Sequence, residues 1–374
     1  MKKYITRHII PLCLLFLLFA SCNRQEDTPQ QTDGMVNLTI SAAMVSRASF
    51  DEDSSADKYR ELMHTLRIII FDENDQLEHD RQYTLTGEDG EGLFETRYYS
   101  FIVKGNETKT IYLLANCEDI LENKEISISN LDNLELTTDD GWFSNKSEGV
   151  NFHLPATAKY EIEVGNENQT KDLWVAHAAN KIHITYNNAL ESGEPITIYS
   201  WTLEQVAQNS YLIPQVTDTE WYEKVLAQYN KENDTPVTDY HVPPDANHTA
   251  YTYIYAEPVE VSKGTPVTTP AESETPIYLH ESKNIPEPDS PDTQGYTISF
   301  RISEENGTAE DSKVYTAKLE NLPSLFRGTY VQIDVTIKAL EEGEGPDGIF
   351  AEIEAWKEYD PTTGTIVPEE ETTN

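Results

Sequence analysis

The sequence predicts an all-β protein built from two tandem domains with few short helices. Short segments in which apolar and polar residues alternate recur along the chain, and Gly, Asn, Asp or Pro residues separate them. A period of two is typical of strands that bury one face, and many short strands between turn residues favour β-sandwiches. About 350 residues follow an N-terminal signal, which is enough for two such domains.

Segments of strand length carry this pattern in both halves of the chain. Residues 36–40 alternate cleanly, whereas residues 66–71 form a nearly continuous β-branched run before an acidic turn, which is typical of a central strand. The predicted strands of the first half are residues 36–40, 66–71, 98–103, 110–115, 160–164 and 181–186. Those of the second half are residues 196–203, 251–256, 296–302, 314–319, 330–337 and 349–356.

Three other stretches depart from the strand pattern. Residues 57–64 and 220–231 have apolar residues at helical spacing, and we expect short surface helices there. Seven prolines fall within residues 258–291. Because proline cannot donate a hydrogen bond to a strand ladder, this density predicts an extended loop and excludes a central strand.

The chain divides into four predicted segments. Residues 1–21 have the composition of a signal peptide, and residues 22–34 form a polar tether. A polar run rich in Gly, Asn, Gln and Thr, residues 165–172, predicts the boundary between two folded domains. The expected domains are an N-terminal β-sandwich over residues 35–170 and a C-terminal β-sandwich over residues 171–374.

The N-terminus predicts secretion and lipidation. Lys2, Lys3 and Arg7 precede an apolar run of roughly 12 residues, which is shorter than the about 20 residues that a membrane-spanning helix needs. The small residues before Cys22 resemble the bacterial lipobox, in which the cysteine is acylated and becomes the mature N-terminus. We therefore expect Cys22 to carry lipid chains, palmitate among them, that hold the protein on a membrane.

The charge of the chain argues against nucleic-acid partners, and its cysteine content argues against stabilisation by disulfide bonds. With 66 acidic and 27 basic residues, the chain has a formal net charge of −39 and repels nucleic acid, so we expect no nucleic-acid partner. Of three cysteines, Cys13 lies in the signal and Cys22 is the lipid site, which leaves Cys117 without an intrachain partner. Stability must come from a buried core, in which Cys117 acts as a small apolar residue.

No pattern of residues indicates catalysis. The sequence has no His-Glu-x-x-His or Cys-x-x-Cys metal motif, no Gly-x-Ser-x-Gly nucleophile elbow and no Gly-rich phosphate loop. We therefore expect no enzyme activity, no cofactor and no metal site. A glycosidase pair of carboxylates stays open, because its separation of about 5 to 9 Å is decided by tertiary structure.

Exposed aromatic residues suggest an alternative function. Trp142 lies in a loop of acidic and glycine residues, where its ring can stack on a sugar. Trp201 and Trp356 lie in alternating strands and fit a core. The alternative is a surface glycan-binding lipoprotein that uses Trp142 to bind host or bacterial surface ligands.

Several stretches together resemble the fimbrillin superfamily of Bacteroides-type pilins. They include the lipoprotein signal and, within the fold, residues 66–71, 113–116, 154–158, 175–182 and 325–330, with Trp356 near the end. The resemblance covers nearly the whole chain. Ala156, His177 and Gly328 depart from the family pattern, in which Met, Arg and Asn are usual.

The resemblance implies two transthyretin-like β-sandwiches at the cell outer membrane, in a fimbrium. It implies a structural fimbrial subunit or a fimbrial anchor lipoprotein, which takes part in cell adhesion and has other fimbrial subunits as partners. Polymerising family members are cut after an Arg by a trypsin-like protease, and this pattern falls between Arg47 and Ala48. Arg47 as an ordinary exposed basic residue is the alternative.

Such a cut would remove the N-terminal strand and leave a groove for another subunit. The removable strand would contain Val36, Leu38 and Ile40, and the donor strand near the C-terminus would contain Ile366 and Val367. Addition of a strand satisfies unpaired backbone groups and fills the exposed core. An uncut chain would keep the lipid on its N-terminus and act as an anchor.

Overall fold

The computed structural model describes residues 34–44, 58–85, 87, 92–137, 153–215, 250–269, 277–283, 296–304, 307–318, 324–325, 327–338, 340 and 349–355. Strands predominate within these ranges, which confirms the all-β prediction. The helices described are α1 (Lys58–Glu61), α2 (Glu118–Leu121) and α3 (Ile128–Asp132). The strands are β1 (Met35–Met44), β2 (Thr65–Phe71), β3 (Leu77–Thr84), β4 (Tyr99–Lys104), β5 (Glu107–Ala115), β6 (Glu135–Thr137), β7 (Ala156–Val164), β8 (Gln169–His177), β9 (Asn180–Asn188), β10 (Ile196–Ala207), β11 (Asn209–Tyr211), β12 (Ala250–Tyr255), β13 (Val259–Val261), β14 (Val267–Thr269), β15 (Ile277–Leu279), β16 (Ser282–Lys283), β17 (Thr297–Glu304), β18 (Lys313–Lys318), β19 (Ser324–Leu325), β20 (Thr329–Ile337) and β21 (Ile349–Ala355).

Each predicted strand segment overlaps an observed strand. The helix predicted over residues 57–64 is present in part as α1, and the one over residues 220–231 lies outside the described residues. Sequence reasoning missed β3, an edge strand of mainly exposed residues, because its sequence LEHDRQYT shows no apolar alternation. It also missed β8, whose first residues lie within the polar run of residues 165–172 that was predicted as a domain boundary.

The loop predicted over residues 258–291 is wrong in part. Its described residues contain the short strands β13, β14, β15 and β16. Pro258, Pro266 and Pro276 each directly precede one of these strands. Proline is tolerated there, because the residue before a strand need not donate to the ladder. Each of these four strands has two or three residues, so none is a long central strand.

The first core lies within a sheet of seven strands in the order β3-β2-β5-β7-β8-β1-β4. β7 and β8 pair only through Ala156 with His177 and Thr157 with Ala176, so the sheet folds over between them. The strands on either side of this fold contribute alternate residues to one buried cluster. The groups β3-β2-β5-β7 and β8-β1-β4 are therefore the two facing layers of a β-sandwich.

The outer face of the first layer is buried as well. Ile69, Phe71, Tyr112 and Leu114, on β2 and β5, pack against residues of α2 and α3 and against Leu212, which follows β11. Because both faces of β2 are covered, its sequence is a continuous apolar run and does not alternate. Cys117 belongs to this apolar cluster on the outer face of the layer, where it is buried as a small apolar residue.

The second core lies between two further sheets. One has the order β14-β9-β20-β21, with β15 also paired to β9, and the other has the order β12-β10-β17-β18, with β13 paired to β10. Buried residues of both sheets form one cluster. Trp201 is 1% exposed within it, which confirms the core interpretation of this residue. Trp356 lies outside the described residues.

The limits of the two predicted domains stay a prediction. The first core is formed almost entirely by residues before 177, and the second core by residues after 181. The predicted boundary at residues 170 and 171 falls inside β8, which pairs with β1 in the first sheet.

Asn116 joins three segments of the chain at the end of β5. Its backbone adopts a left-handed conformation with φ of 56°. Its Oδ1 accepts hydrogen bonds from the backbone N–H of His64 (2.8 Å) and Thr65 (3.3 Å), and its Nδ2 donates to the carbonyls of Leu62 (2.8 Å) and Leu154 (2.9 Å). The amide is needed because it donates and accepts at one buried place.

We expect Asn116→Asp to destabilise the fold by about 2 to 4 kcal/mol, because a carboxylate loses both donors and faces two carbonyl oxygens. Unfolding in guanidinium chloride, followed by circular dichroism, measures this free energy. Asn123→Asp is the matched control, because Asn123 has φ of 59° and is exposed. Equal stability of the two variants would contradict the role of Asn116.

Candidate assembly site

β1 lies between β4 and β8 and forms backbone ladders with both. It pairs antiparallel with β4 over six residue pairs, from Met35 with Lys104 to Ile40 with Tyr99. It pairs parallel with β8 over seven residue pairs, beginning with Leu38 and Gln169. The first strand of the described fold is therefore an interior strand of its layer.

The inward side chains of β1 are buried in the first core. Val36, Leu38, Ile40, Ala42 and Met44 alternate along the strand, and none is more than 1% exposed. This is the period that the sequence showed for residues 36–40, and the structure extends it to residue 44. Each large side chain buried in this way contributes about 1.5 to 3 kcal/mol.

The two neighbouring strands depend on β1 for most of their pairing. Among the described residues, β1 is the ladder partner of β4, which ends the order of the sheet. β8 has only two residue pairs with β7, compared with seven pairs with β1. Removal of β1 would therefore expose two rows of backbone donors and acceptors together with a strip of apolar core.

The outer edge of β4 is covered by side chains from β3. The Nε2 of His79 lies 2.8 Å from the carbonyl oxygen of Ile102, and the backbone N–H of Lys104 donates to Glu78 Oε1 at 3.4 Å. The rings of Tyr83 and Tyr99 stack with their centroids 3.8 Å apart. These contacts occupy backbone groups that an added strand would need, so they disfavour pairing at this edge.

The solvent-facing side of β1 is polar. Ser41 Oγ donates to Asp172 Oδ1 at 2.7 Å, and Tyr98 Oη donates to the same oxygen at 2.9 Å. The bond to this carboxylate raises the pKa of Tyr98. Thr39 and Ser100 are in hydrogen-bonding contact through their hydroxyls, 3.2 Å apart. A strand replacing β1 would need apolar residues on one face and polar residues on the other.

Three glycines meet where β1 begins. The backbone N–H of Gly105 donates to the carbonyl of Gly34 at 2.8 Å. A Cβ at position 105 would lie 2.5 Å from the carbonyl oxygen of Gly165, closer than real Cβ atoms come. Glycine at position 105 thus allows two turns and the start of β1 to approach closely.

Arg327 connects the second core to the first at a buried junction. It is 1% exposed and forms a bidentate pair with Glu281, in which Nε donates to Oε2 at 2.9 Å and Nη2 donates to Oε1. Its remaining N–H groups donate to Thr157 Oγ1 (3.2 Å) and to the carbonyls of Leu212 (2.9 Å) and Tyr211 (2.6 Å). All five guanidinium donors are used. The sequence marked residues 325–330 as a motif but gave no role to Arg327.

A group of buried polar side chains surrounds α1. The carboxylate of Glu61 accepts a hydrogen bond from Tyr278 Oη and lies 3.3 Å from Lys181 Nζ. His177 Nε2 lies 2.8 Å from the backbone carbonyl oxygen of Glu61. Together these contacts hold α1 against β8, β9 and β15. Sequence reasoning missed them, because the partners are separated by more than a hundred residues.

The structure locates part of the predicted assembly site. Val36, Leu38 and Ile40 are the inward residues of β1. The other predicted residues lie outside the described ones and stay predictions; they are Cys22, Arg47, Ala48, Trp142, Ile366 and Val367. The described residues contain no cluster of three His, Cys, Asp or Glu side chains that could hold a metal ion.

The thiol of Cys117 is buried and hydrogen-bonded. Cys117 Sγ donates to the Ala115 carbonyl at 3.0 Å, and burial raises the pKa of this thiol, which disfavours the reactive thiolate.

In the described part of the chain, no helix combines the length and the apolar character needed to cross a membrane.

We expect Arg327→Lys to lower the free energy of unfolding by about 2 to 3 kcal/mol, because lysine keeps the charge but leaves Glu281 and the Tyr211 carbonyl incompletely hydrogen-bonded in the interior. Denaturant unfolding measures the change. Arg67→Lys is the matched control: Arg67 makes the same bidentate contact with Asp80, with 2.7 Å bonds, but both side chains are more than 20% exposed. That pair should contribute about 1 kcal/mol or less. Similar losses in both variants would contradict the role of the buried junction.

Two buried histidines should make the fold sensitive to acid. Burial lowers the pKa of His177 to about 4 and that of His280 to about 3. The unfolded chain binds these protons near the ordinary histidine pKa of about 6.5, whereas the folded chain does not. Stability is therefore full above pH 6.5 and is lost as the pH falls towards 4, by about 2 kcal/mol per histidine at pH 5.

His280→Asn tests this pH dependence. Asn can keep the contact that His280 Nδ1 makes with Ser210 Oγ at 2.8 Å, but it does not titrate. We expect the free energy of unfolding to fall less between pH 7.5 and pH 5 in this variant than in the wild type, as measured by urea titration at each pH. An unchanged difference would show that His280 is protonated in the folded state.

Comparisons with known proteins find similar folds among solved structures. No family model and no curated protein matches the chain. A candidate cell adhesion protein from Parabacteroides distasonis has a similar structure, with a TM-score of 0.53 and 10% identity over 86% of this chain and 96% of that chain.

Two further solved structures match with lower TM-scores. One is a candidate cell adhesion protein from Bacteroides eggerthii (TM-score 0.48, 13% identity, 86% of this chain and 96% of that chain). The other is the tip fimbrial protein Mfa3 from Porphyromonas gingivalis, with a C-terminal truncation (TM-score 0.45, 12% identity, 86% and 98%). At these identities the likeness to the Parabacteroides distasonis protein shows a shared fold.

Proposed function

We propose that this chain is a structural fimbrial subunit or a fimbrial anchor lipoprotein of the outer membrane, and that it assembles by β-strand addition. The observation that supports this proposal is the place of β1, an N-terminal strand held between β4 and β8. The similar fold of a candidate cell adhesion protein is consistent with it.

A cut between Arg47 and Ala48 would turn β1 into a separate peptide. The described part of β1 ends at Met44, three residues before the proposed cut. After cleavage, β1 would be held only by its two ladders and by its buried side chains. Its departure would leave a slot whose unpaired backbone and apolar strip favour binding of another strand.

The slot defines the strand that can fill it. Side chains enter the core at positions 36, 38, 40, 42 and 44, so a donor needs five small or apolar residues at alternate positions. Ile366 and Val367 are the proposed donor residues of this chain. Because neighbouring residues of a strand face opposite sides, only one of them would enter the core. This favours a role in which the chain accepts a strand from a partner whose donor segment has apolar residues at alternate positions.

Cleavage decides between the two roles in the proposal. A cut chain loses Cys22 with its lipid and offers an open slot to another fimbrial subunit. An uncut chain keeps both the lipid and β1, and can serve as the membrane anchor of a fimbrium. The N-terminus of the mature protein on the cell surface distinguishes these roles, because it begins either at Cys22 or at Ala48.

We expect limited digestion with an Arg-specific protease to cut after Arg47 and to leave β1 bound to the folded chain. Removal of the β1 peptide in mild denaturant should then open the slot and allow oligomers or peptide binding. Mass spectrometry identifies the cut, and fluorescence anisotropy measures binding of a labelled peptide of residues 34–44. Arg47→Gln should block the cut.

The peptide itself supplies matched controls. Leu38→Glu places a charge in the core and should abolish binding, since an unpaired buried carboxylate is costly. Thr39→Glu on the opposite face should bind with an affinity within about threefold of the parent peptide. Equal binding of both peptides, or persistent attachment of residues before Ala48 in fibres purified from cells, would overturn strand exchange at this site.

A further inference from the structure

A half-open cavity of about 280 Å³ lies beside β17 and β18 of the second core. The connection between β17 and β18 contributes Gly307 and Asp311 to its lining, and Lys313 at the start of β18 and Leu340 also line it. Ile302 and Tyr315, which are 2% and 4% exposed, complete the apolar part of the lining. The cavity therefore combines an apolar wall with a polar rim, which is typical of small-molecule sites.

Ser303 contributes a polar atom that the fold leaves without a partner. Ser303 is 5% exposed and lines the cavity. Within the described part of the chain, its Oγ has no hydrogen-bond partner. A buried hydroxyl without a hydrogen bond destabilises the protein, and such groups are few in native structures. An occupant that hydrogen-bonds to Ser303 would remove this cost.

The polar rim is held in place by its own hydrogen bonds. Asp311 Oδ2 accepts from the backbone N–H (3.2 Å) and from the Oγ1 (2.7 Å) of Thr308, and these bonds lower the pKa of Asp311, so its carboxylate is ionised. Ser312 Oγ donates to the Ala309 carbonyl at 2.6 Å. Tyr199 Oη donates to the Gly307 carbonyl at 2.7 Å. A rim ordered before binding loses little entropy when a ligand arrives.

These features select the class of ligand. A volume of about 280 Å³ is slightly below the about 300 to 1,000 Å³ of drug-sized small-molecule pockets, so it suits a single ring and excludes a longer chain from full burial. Anions are disfavoured by the net charge of −39 and by Asp311. The lining holds one group of each charge, on Asp311 and Lys313, beside apolar side chains. This balance suits a neutral ring that has hydroxyls on its edge and C–H groups on its face.

We propose that this cavity binds one neutral hexose ring, with Ser303 and Asp311 as its hydrogen-bonding residues. Both bonds described for Asp311 use Oδ2, so Oδ1 can accept from a sugar hydroxyl. The Ser303 hydroxyl supplies a second bond, and the side chains of Ile302, Tyr315 and Leu340 pack against the C–H face. This site does not depend on β1 or on its removal.

Binding of glucose, galactose and mannose to the full mature chain tests the proposal. Saturation-transfer NMR detects binding, and titration of protein amide shifts gives Kd. We expect at least one of the three sugars to saturate with a Kd on the order of 1 mM, the affinity that a ligand of about 12 non-hydrogen atoms reaches.

Variants then assign the site. Ser303→Ala should raise Kd about 10-fold through loss of one hydrogen bond, without lowering the melting temperature, because the hydroxyl has no partner described in the fold. Asp311→Asn keeps an oxygen for Thr308 and should also weaken binding, since the acceptor loses its charge. Ser299→Ala is the control, because Ser299 lies on the same strand and bonds to Thr316 at 2.8 Å outside the cavity.

Two results would overturn the proposal. One is the absence of saturable binding of all three sugars to the wild type, which would leave water as the occupant of the cavity. The other is sugar binding that Ser303→Ala and Asp311→Asn leave unchanged, which would place the sugar elsewhere on the chain. Melting curves of each variant show whether it is folded.

Discussion

Insertion of β1 between β4 and β8 is the constraint on which the first core depends. A strand at this place supplies two backbone ladders and five buried side chains at once. β4 and β8 have little other pairing, so the second layer of the sandwich exists because β1 holds it together. Under the proposed function, any strand that replaced β1 would have to satisfy the backbone and fill the core together.

The junction between the cores is polar and yet buried. Arg327 and Glu281 are paired, and the other guanidinium donors reach groups near β7 and β11, so no charge of the pair is left without a partner. A buried ion pair adds little net stability compared with apolar packing, but loss of one partner is costly. Such a junction restricts how the second core can sit against the first.

Much of the strand content could be predicted from the sequence, because alternate burial leaves a period of two that is visible in residues such as Val36, Leu38 and Ile40. β3 could not be found in this way, since its residues are mostly exposed and its pairing with β2 is made by backbone groups that the sequence does not reveal. The short strands after Pro258 were missed for a related reason: proline density indicates a loop, although a proline just before a strand does not disturb its ladder. Of the assembly site, the inward residues of β1 were predicted, whereas its two partners were not.

By itself, the sequence determined the all-β class, the acidic composition and the inward face of the first strand, because each follows from composition or from local periodicity. Only the tertiary structure decided that β1 is an interior strand, that Arg327 meets Glu281, Thr157 and Tyr211, and that Ser303 faces a cavity. These features join residues far apart in the chain. The packing of whole layers decides which strands and charged residues become neighbours. Local sequence patterns do not reveal that packing, because many strands have equivalent patterns.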